Sequence, residues 1–300
     1  MDPLILHPHA KINLGLRVLR LRDDGYHELR TRFQTIDLTD DLILERRGNG
    51  LKLTVEGTPA IPEASNLVLR AAQALAEGRG RVPGTSLHLR KHIPHAAGLG
   101  GGSSDAAATL LGLNFLWELG LDQEELARLG RSLGADVGFF LVGGSALGLE
   151  RGDSIVPLPD ASGFRIALIL SPFTSATPEV FRLWDERKAA RGGEEKARFV
   201  EGGPSDPSSG PSAESIHNDL QELVVSRQPQ LAECLEILRR HGARGAALSG
   251  SGPSVYGLFE TSEEVAVLQK AMEGLRVGAL SCIPIGRSAY WSRLGLPLSD

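Results

Sequence analysis

The chain has 300 residues, 41% of them hydrophobic and 23% charged, and its 32 Lys+Arg against 37 Asp+Glu leave a formal charge of −5. That length supports a core large enough to divide in two, and a mildly acidic balance without a basic run gives no general attraction to nucleic acid or anionic membrane. Two distant cysteines without CxxC exclude a disulfide framework and a structural zinc site, and no export signal or membrane-length apolar run is visible, so a cytoplasmic protein is expected.

Ile12, Leu14, Leu16 and Val18 alternate with Lys11, Asn13, Gly15 and Arg17. This predicts a half-buried strand with Lys11 and Asn13 together on its exposed face. Further strands are predicted at 27–32, 41–46, 51–55 and 85–90, separated by Asn49-Gly50 and Glu56-Gly57 turns. Leu67, Ala71, Ala74 and Leu75 fall at helical spacing, as do Ala106, Leu110, Leu113 and Trp117, with Ser103 or Ser104 available as the cap of the second helix. The stretch 156–163, VPLPDASG, reads as a hinge, so residues 1–160 and 161–300 are expected to be two domains. A buried strand at 164–170 follows, then a helix from Pro178, a polar loop at 192–212, helices near 218–225 and 231–241, apolar strands flanking a second glycine cluster at 245–257, a helix carrying Val265, Leu268 and Met272, and a last strand near 278–285. Antiparallel-looking strands with interposed helices make α+β the expected class.

The 36 glycines are clustered. Pro94 to Asp105, PHAAGLGGGSSD, stands between a strand and an Ala-rich helix, where Gly98, Gly100, Gly101 and Gly102 allow backbone amides to reach a ligand and the helix N-terminus favours an anion. This is a phosphate cradle by chemistry, although neither a P-loop nor a dinucleotide fingerprint. The second cluster, Leu248 to Ser254, reads equally as a hairpin turn or as a cover over a ligand held by the first. Lys11 and Asp136 form a candidate reactive pair, a cation for a γ-phosphate and a base for a hydroxyl proton; spacing alone reads each as a solvated charge, with Asp136 just ahead of an apolar strand. Tyr26-His27 offers a ring and an imidazole after a glycine turn, although by themselves these residues read better as a hairpin with Tyr26 as packing. His7/His9 and His92/His95 have no third metal ligand in view.

Together these residues resemble the GHMP kinases. The run Pro94-x-x-x-Gly98-Leu99-Gly100-Gly101-Gly102-Ser103-Ser104-x-Ala106-Ala107-Ala108 is similar to their ATP-binding motif, and AKINL at 10–14, DGYHEL at 24–29, QTIDL at 34–38, residues 134–140, Asn218-Asp219-Leu220 and residues 248–254 extend the likeness over nearly the whole chain. The resemblance implies a ribosomal-protein-S5-domain-2-like first half, a ferredoxin-like second half and a site between them. It further implies transfer of the ATP γ-phosphate to the 2-hydroxyl of a cytidyl-diphospho-methylerythritol (CDP-methylerythritol), in the non-mevalonate route to isoprenoid precursors, with Mg2+ accompanying ATP and no obligate protein partner. By the same resemblance Asp136 is the base and Lys11 its neighbour. Asn66, Pro94 and the loop Gly98, Leu99, Gly100, Gly101, Gly102, Ser103 and Ser104 hold ATP; Asn13 holds the methylerythritol; Tyr26, His27, Thr177 and Phe181 hold the cytidine end. Homoserine or mevalonate kinase is the alternative enzyme, and a catalytically silent ATP-binding module the alternative class. Gly138 replaces a proline usual after Asp-Val, residues 187–215 match no motif, and the Mg2+ ligand is unassigned, with Ser104 and Asp105 as positional candidates.

Overall fold

The computed structural model describes residues 2–57, 65–77, 82–190, 215–273 and 277–297. The expected polar loop at 192–212 lies outside them.

Twelve strands form three four-stranded sheets among these residues. The first is ordered β1 (Leu4–Leu6), β4 (Asp41–Arg46), β6 (Thr85–Arg90), β5 (Leu51–Glu56), antiparallel except for the β5–β6 pair. It is covered by α1 (Leu67–Ala76), α2 (Gly101–Leu116), α3 (Gln123–Leu133) and the single turn α4 (Val137–Phe140), which share one hydrophobic core with it. Helix α2 is buried on almost every side, so its alanines and Gly112 are a packing requirement. A Cβ on Gly112 would lie 2.5 Å from Leu44 and 2.6 Å from Leu6.

The second sheet is β2 (His9–Leu21), β3 (His27–Thr39), β7 (Ser145–Leu149), β8 (Ser154–Pro157), antiparallel throughout. The third is β10 (Gly245–Leu248), β11 (Val255–Phe259), β9 (Arg165–Ile169), β12 (Ala279–Cys282), also antiparallel, and it packs with α5 (Thr177–Ala190), α6 (Gln221–Arg227), α7 (Gln230–Arg240) and α8 (Ser262–Ala271). The last helix, α9 (Arg287–Leu294), returns to the first core, where Tyr290 and Leu294 are buried and Gly143 leaves room for the Tyr290 ring. The α+β class is as expected, and strand β8 runs into the stretch read as a hinge.

Two expectations need correction. Residues His9 to Leu16 of β2 are buried on both faces, so Lys11 is not on an exposed face but 3% exposed. The reason is long-range: Ile12 and Leu14 share a core with Ile166, Leu168 and Tyr256, Leu16 and Val18 pack with Leu223 and Leu235, and the Tyr256 hydroxyl donates to the Asn13 carbonyl at 2.8 Å. The run after Asp136 is not a strand but one helical turn, which sends Phe139 and Phe140 into the first core.

Candidate active site

A cavity of about 1040 Å³ lies where the three sheets meet, and every residue expected at the site lines it except Ser104. Its floor is the 94–105 loop. Gly100, at φ 70°, is the N-cap of α2; the serines therefore do not cap the helix but lie in its first turn, because the left-handed glycine starts the helix before they are reached. Asn66 caps α1, its Oδ1 accepting from Val68 N at 2.9 Å. With no side chain capping α2, its first-turn amides are left to an anion.

The glycines do different things. A Cβ at Gly98, φ 77°, would come within 2.1 Å of the Ser249 carbonyl oxygen, so the loop and the second glycine hairpin touch backbone to backbone. A Cβ at Gly100 would lie 2.9 Å from the Phe140 ring and 3.1 Å from Lys11 Cε, while one at Gly102 would meet nothing nearer than 3.6 Å. Leu99 turns its side chain into the core and offers its carbonyl to Lys11 N at 2.9 Å.

Lys11 Nζ lies 3.3 Å from Asp136 Oδ2 and donates to Asn13 Oδ1 at 2.6 Å and to the Gly98 carbonyl at 3.1 Å. Asp136 stands at the N-cap of α4 without using its carboxylate there, which leaves that group to Lys11 and the cavity. Behind Lys11, Asn13 Nδ2 donates to Thr31 Oγ1 at 2.8 Å, and the Thr31 hydroxyl donates to the Gly15 carbonyl at 2.8 Å. The ammonium can only donate, so the Asn13 oxygen must face it, and the Asn13 amide nitrogen is left to donate to Thr31.

The second half closes the site through its own glycine hairpin. Ser249 Oγ donates to the Gly98 carbonyl at 2.9 Å and Ser254 N to the Ala97 carbonyl at 3.2 Å. Asn218 holds the hairpin from behind, donating to the Leu248 and Gly250 carbonyls at 2.8 and 2.7 Å, and Thr177 and Ser251 hydroxyls pair at 2.8 Å.

The far end of the cavity is aromatic. Tyr26 is 57% exposed with the Arg151 guanidinium 5.0 Å from its ring centre, and His27 stacks on Phe181 with centroids 4.9 Å apart and planes at 23°. The Tyr26 ring therefore borders the cavity and is not buried within its hairpin.

Sequence reasoning missed a buried cluster beneath the loop. Lys91 Nζ pairs with Asp40 Oδ2 and, at 2.7 Å, with Asp105 Oδ2, and it would sit 3.2 Å from a Cβ on Gly101. Burial opposes the charge on Lys91, but Asp105 and Asp40 outweigh it and raise its pKa. Burial pushes the Asp105 carboxyl up to about 7, with Asp40 adding to the rise and Lys91 opposing it. Asp40 is also tied by the His92 and Ile93 amides at 2.5 and 2.8 Å.

Models of the GHMP kinases N terminal domain and C terminal domain match residues 66–144 and 209–275. These matches, with the glycine-floored cavity and its lysine–aspartate pair, place the chain among the GHMP kinases. It is 40% identical to the 4-diphosphocytidyl-2-C-methyl-D-erythritol kinase of Moorella thermoacetica over 88% of this chain and 92% of that one, and 41% identical to the enzyme of the same name from Rhodococcus jostii over 84% and 82%. A crystal structure of 4-(cytidine 5'-diphospho)-2C-methyl-D-erythritol kinase superposes with a TM-score of 0.74 at 32% identity, covering 93% of this chain and 99% of that one. The chain belongs to the 4-diphosphocytidyl-2-C-methyl-D-erythritol kinase family. Homoserine kinase from Cytophaga hutchinsonii, at 18% identity and a TM-score of 0.67 over 96% of each chain, shares the fold.

Proposed function

We propose that this enzyme transfers the γ-phosphoryl group of ATP to the 2-hydroxyl of 4-diphosphocytidyl-2-C-methyl-D-erythritol, releasing ADP, as a step towards isoprenoid precursors. The observation that carries the residue assignment is the contact of Lys11 with Asp136 at the edge of the glycine loop. The hydroxyl oxygen attacks the γ-phosphorus, the bond from that phosphorus to the β-bridging oxygen breaks, and the hydroxyl proton passes to Asp136. Lys11 neutralises charge on the transferring group, and loop amides from Gly98 to Ser104 hold the phosphates. A phosphoryl transition state with spread charge asks mostly for such positioning and fixed donors. Asn13 orients Lys11 and borders the acceptor; Asn66 and Pro94 border the nucleotide. The aromatic end, Tyr26, His27 and Phe181 with Thr177 beside it, gathers flat side chains suited to a pyrimidine, which favours a cytidine-bearing acceptor over mevalonate or homoserine.

Mg2+ would accompany ATP and neutralise its β- and γ-phosphates. Ser104 Oγ and Asp105 Oδ1 are buried without a hydrogen-bond partner at the foot of the loop, and they fit an ion held chiefly by the triphosphate. Among the described residues no group of three or more His, Cys, Asp or Glu forms a protein-only metal cage. No described helix is long and apolar enough to cross a membrane, and Cys234 and Cys282 are free, buried thiols, which suits the cytoplasm. We place the domain boundary near residue 160, where β8 hands over to β9.

Asp136→Asn tests the assignment with CDP-methylerythritol, mevalonate and homoserine as acceptors and product mass as readout. Loss of a general base lowers kcat by about 10²- to 10⁴-fold. Unchanged turnover by the variant removes Asp136 as the base, and turnover of mevalonate or homoserine alone removes the acceptor.

A further inference from the structure

We propose that Asp185 is a positioning residue that fixes which nitrogen of His27 carries the hydrogen, and so makes the base slot read cytosine in preference to uracil. This rests on the reading of Tyr26, His27 and Phe181 as that slot. Phe181 and Asp185 are one turn apart on α5 and share a face. That turn brings a ring against the face of the His27 imidazole and a carboxylate to its edge, with Asp185 Oδ1 2.8 Å from Nε2. All three line the cavity, and the His27 side chain is only 8% exposed, so its hydrogen-bonding pattern is held by protein and not averaged by water.

A carboxylate can only accept. Nε2 therefore carries the hydrogen, and in the neutral ring Nδ1 is left as an acceptor. A base lying edge-on to this imidazole beneath the Phe181 ring meets an acceptor. Cytosine offers its exocyclic amine, a donor, at the position where uracil offers a carbonyl oxygen. Cytosine completes the bond; uracil sets lone pair against lone pair. The second half thus chooses the tautomer, while the first half supplies the imidazole.

The test measures kcat/KM for the cytidine acceptor and its uridine counterpart in the wild type, in Asp185→Ala and in Asp185→Asn. One buried bond of this kind corresponds to about 10- to 100-fold discrimination. In Asp185→Ala the cytidine preference should narrow by about tenfold or more, chiefly through KM for the cytidine acceptor. Asp185→Asn, whose side-chain oxygen still accepts from Nε2, should keep most of the preference. A merely structural role would lower both substrates together and leave the ratio unmoved, and that result overturns the proposal. Side-chain 15N spectra of the wild type give a second readout: the Nε2–H form supports the assignment and the Nδ1–H form overturns it. A wild type without cytidine preference removes the base-slot reading and this assignment with it, whereas intact preference with an unmoved ratio removes this assignment alone.

Discussion

Thr31→Val removes one hydroxyl from the relay behind Lys11 and changes almost nothing in volume. Thr31 is 1% exposed. Its hydroxyl accepts from Asn13 Nδ2 and donates to the Gly15 carbonyl, each at 2.8 Å, so the variant strands two buried polar groups. At about 1–3 kcal/mol for each buried group left unpaired, with partial relaxation, the loss of stability should be roughly 2–4 kcal/mol. For a chain of this size that lowers Tm by about 3–6 °C. The catalytic effect is separate. Without the Thr31 acceptor the Asn13 amide can turn its NH2 towards the Lys11 ammonium, and losing part of that charge-assisted bond, on the order of 1.4 kcal/mol, corresponds to about tenfold in kcat. Scanning calorimetry and steady-state turnover at saturating ATP read the two effects independently. Thr31→Ser keeps the hydroxyl and should restore kcat even where its missing methyl lowers Tm. A Tm loss in Thr31→Val with kcat unchanged would refute the claim that the relay orients Lys11.

Gly98→Ala combines a left-handed backbone, costing about 1–2 kcal/mol, with a Cβ 2.1 Å from the Ser249 carbonyl oxygen. It should lower Tm by several degrees and raise the KM for ATP at least tenfold, whereas Gly102→Ala, with its nearest neighbour at 3.6 Å, should keep the wild-type Tm; equal melting of the two variants contradicts the backbone-contact argument. The Asp105 carboxyl, pushed up by burial to about 7, binds its proton more tightly in the folded chain than in the unfolded one. Its contribution to stability is therefore full below about pH 4 and is lost as pH rises through 7. Unfolding by urea between pH 4 and 8 should show a shallower pH dependence in Asp105→Asn, and an identical profile counts against the shift.

The phosphate loop was legible because its chemistry is local: four glycines, a helix start and no competing side chain lie within one turn. The exact cap was not, since Ser103 and Ser104 are better capping residues than Gly100 and only the left-handed turn at Gly100 displaces them. Chemistry offered Lys11 and Asp136 as a pair while spacing alone read each as a solvated charge, and the burial of Lys11 could not come from alternation, because what covers β2 is Tyr256 and the residues around Asn218, more than two hundred positions away. Helix α3 carries a readable capping box, Asp122 with Glu125, worth about 1 kcal/mol. The Lys91 cluster was invisible for another reason: Asp40 lies between β3 and β4, Lys91 just after β6 and Asp105 in α2, and nothing in the spacing of the three brings them together. Asp185 shows the same limit in reverse, since its spacing from Phe181 is plain in the sequence but its partner His27 is 158 residues distant.

The return of α9 to the first core bears on how the chain is made. Tyr290 fills the space left by Gly143 and its hydroxyl donates to the Phe140 carbonyl at 2.5 Å, one turn after Asp136. A nascent chain that has left the ribosome only as far as residue 280 has synthesised every residue proposed for the reaction centre, yet the wall behind Asp136 is still missing. The amino-terminal half therefore cannot finish folding vectorially. Its last aromatic plug arrives after the other half has been made, so native packing around Asp136 waits until residues 287–294 have emerged.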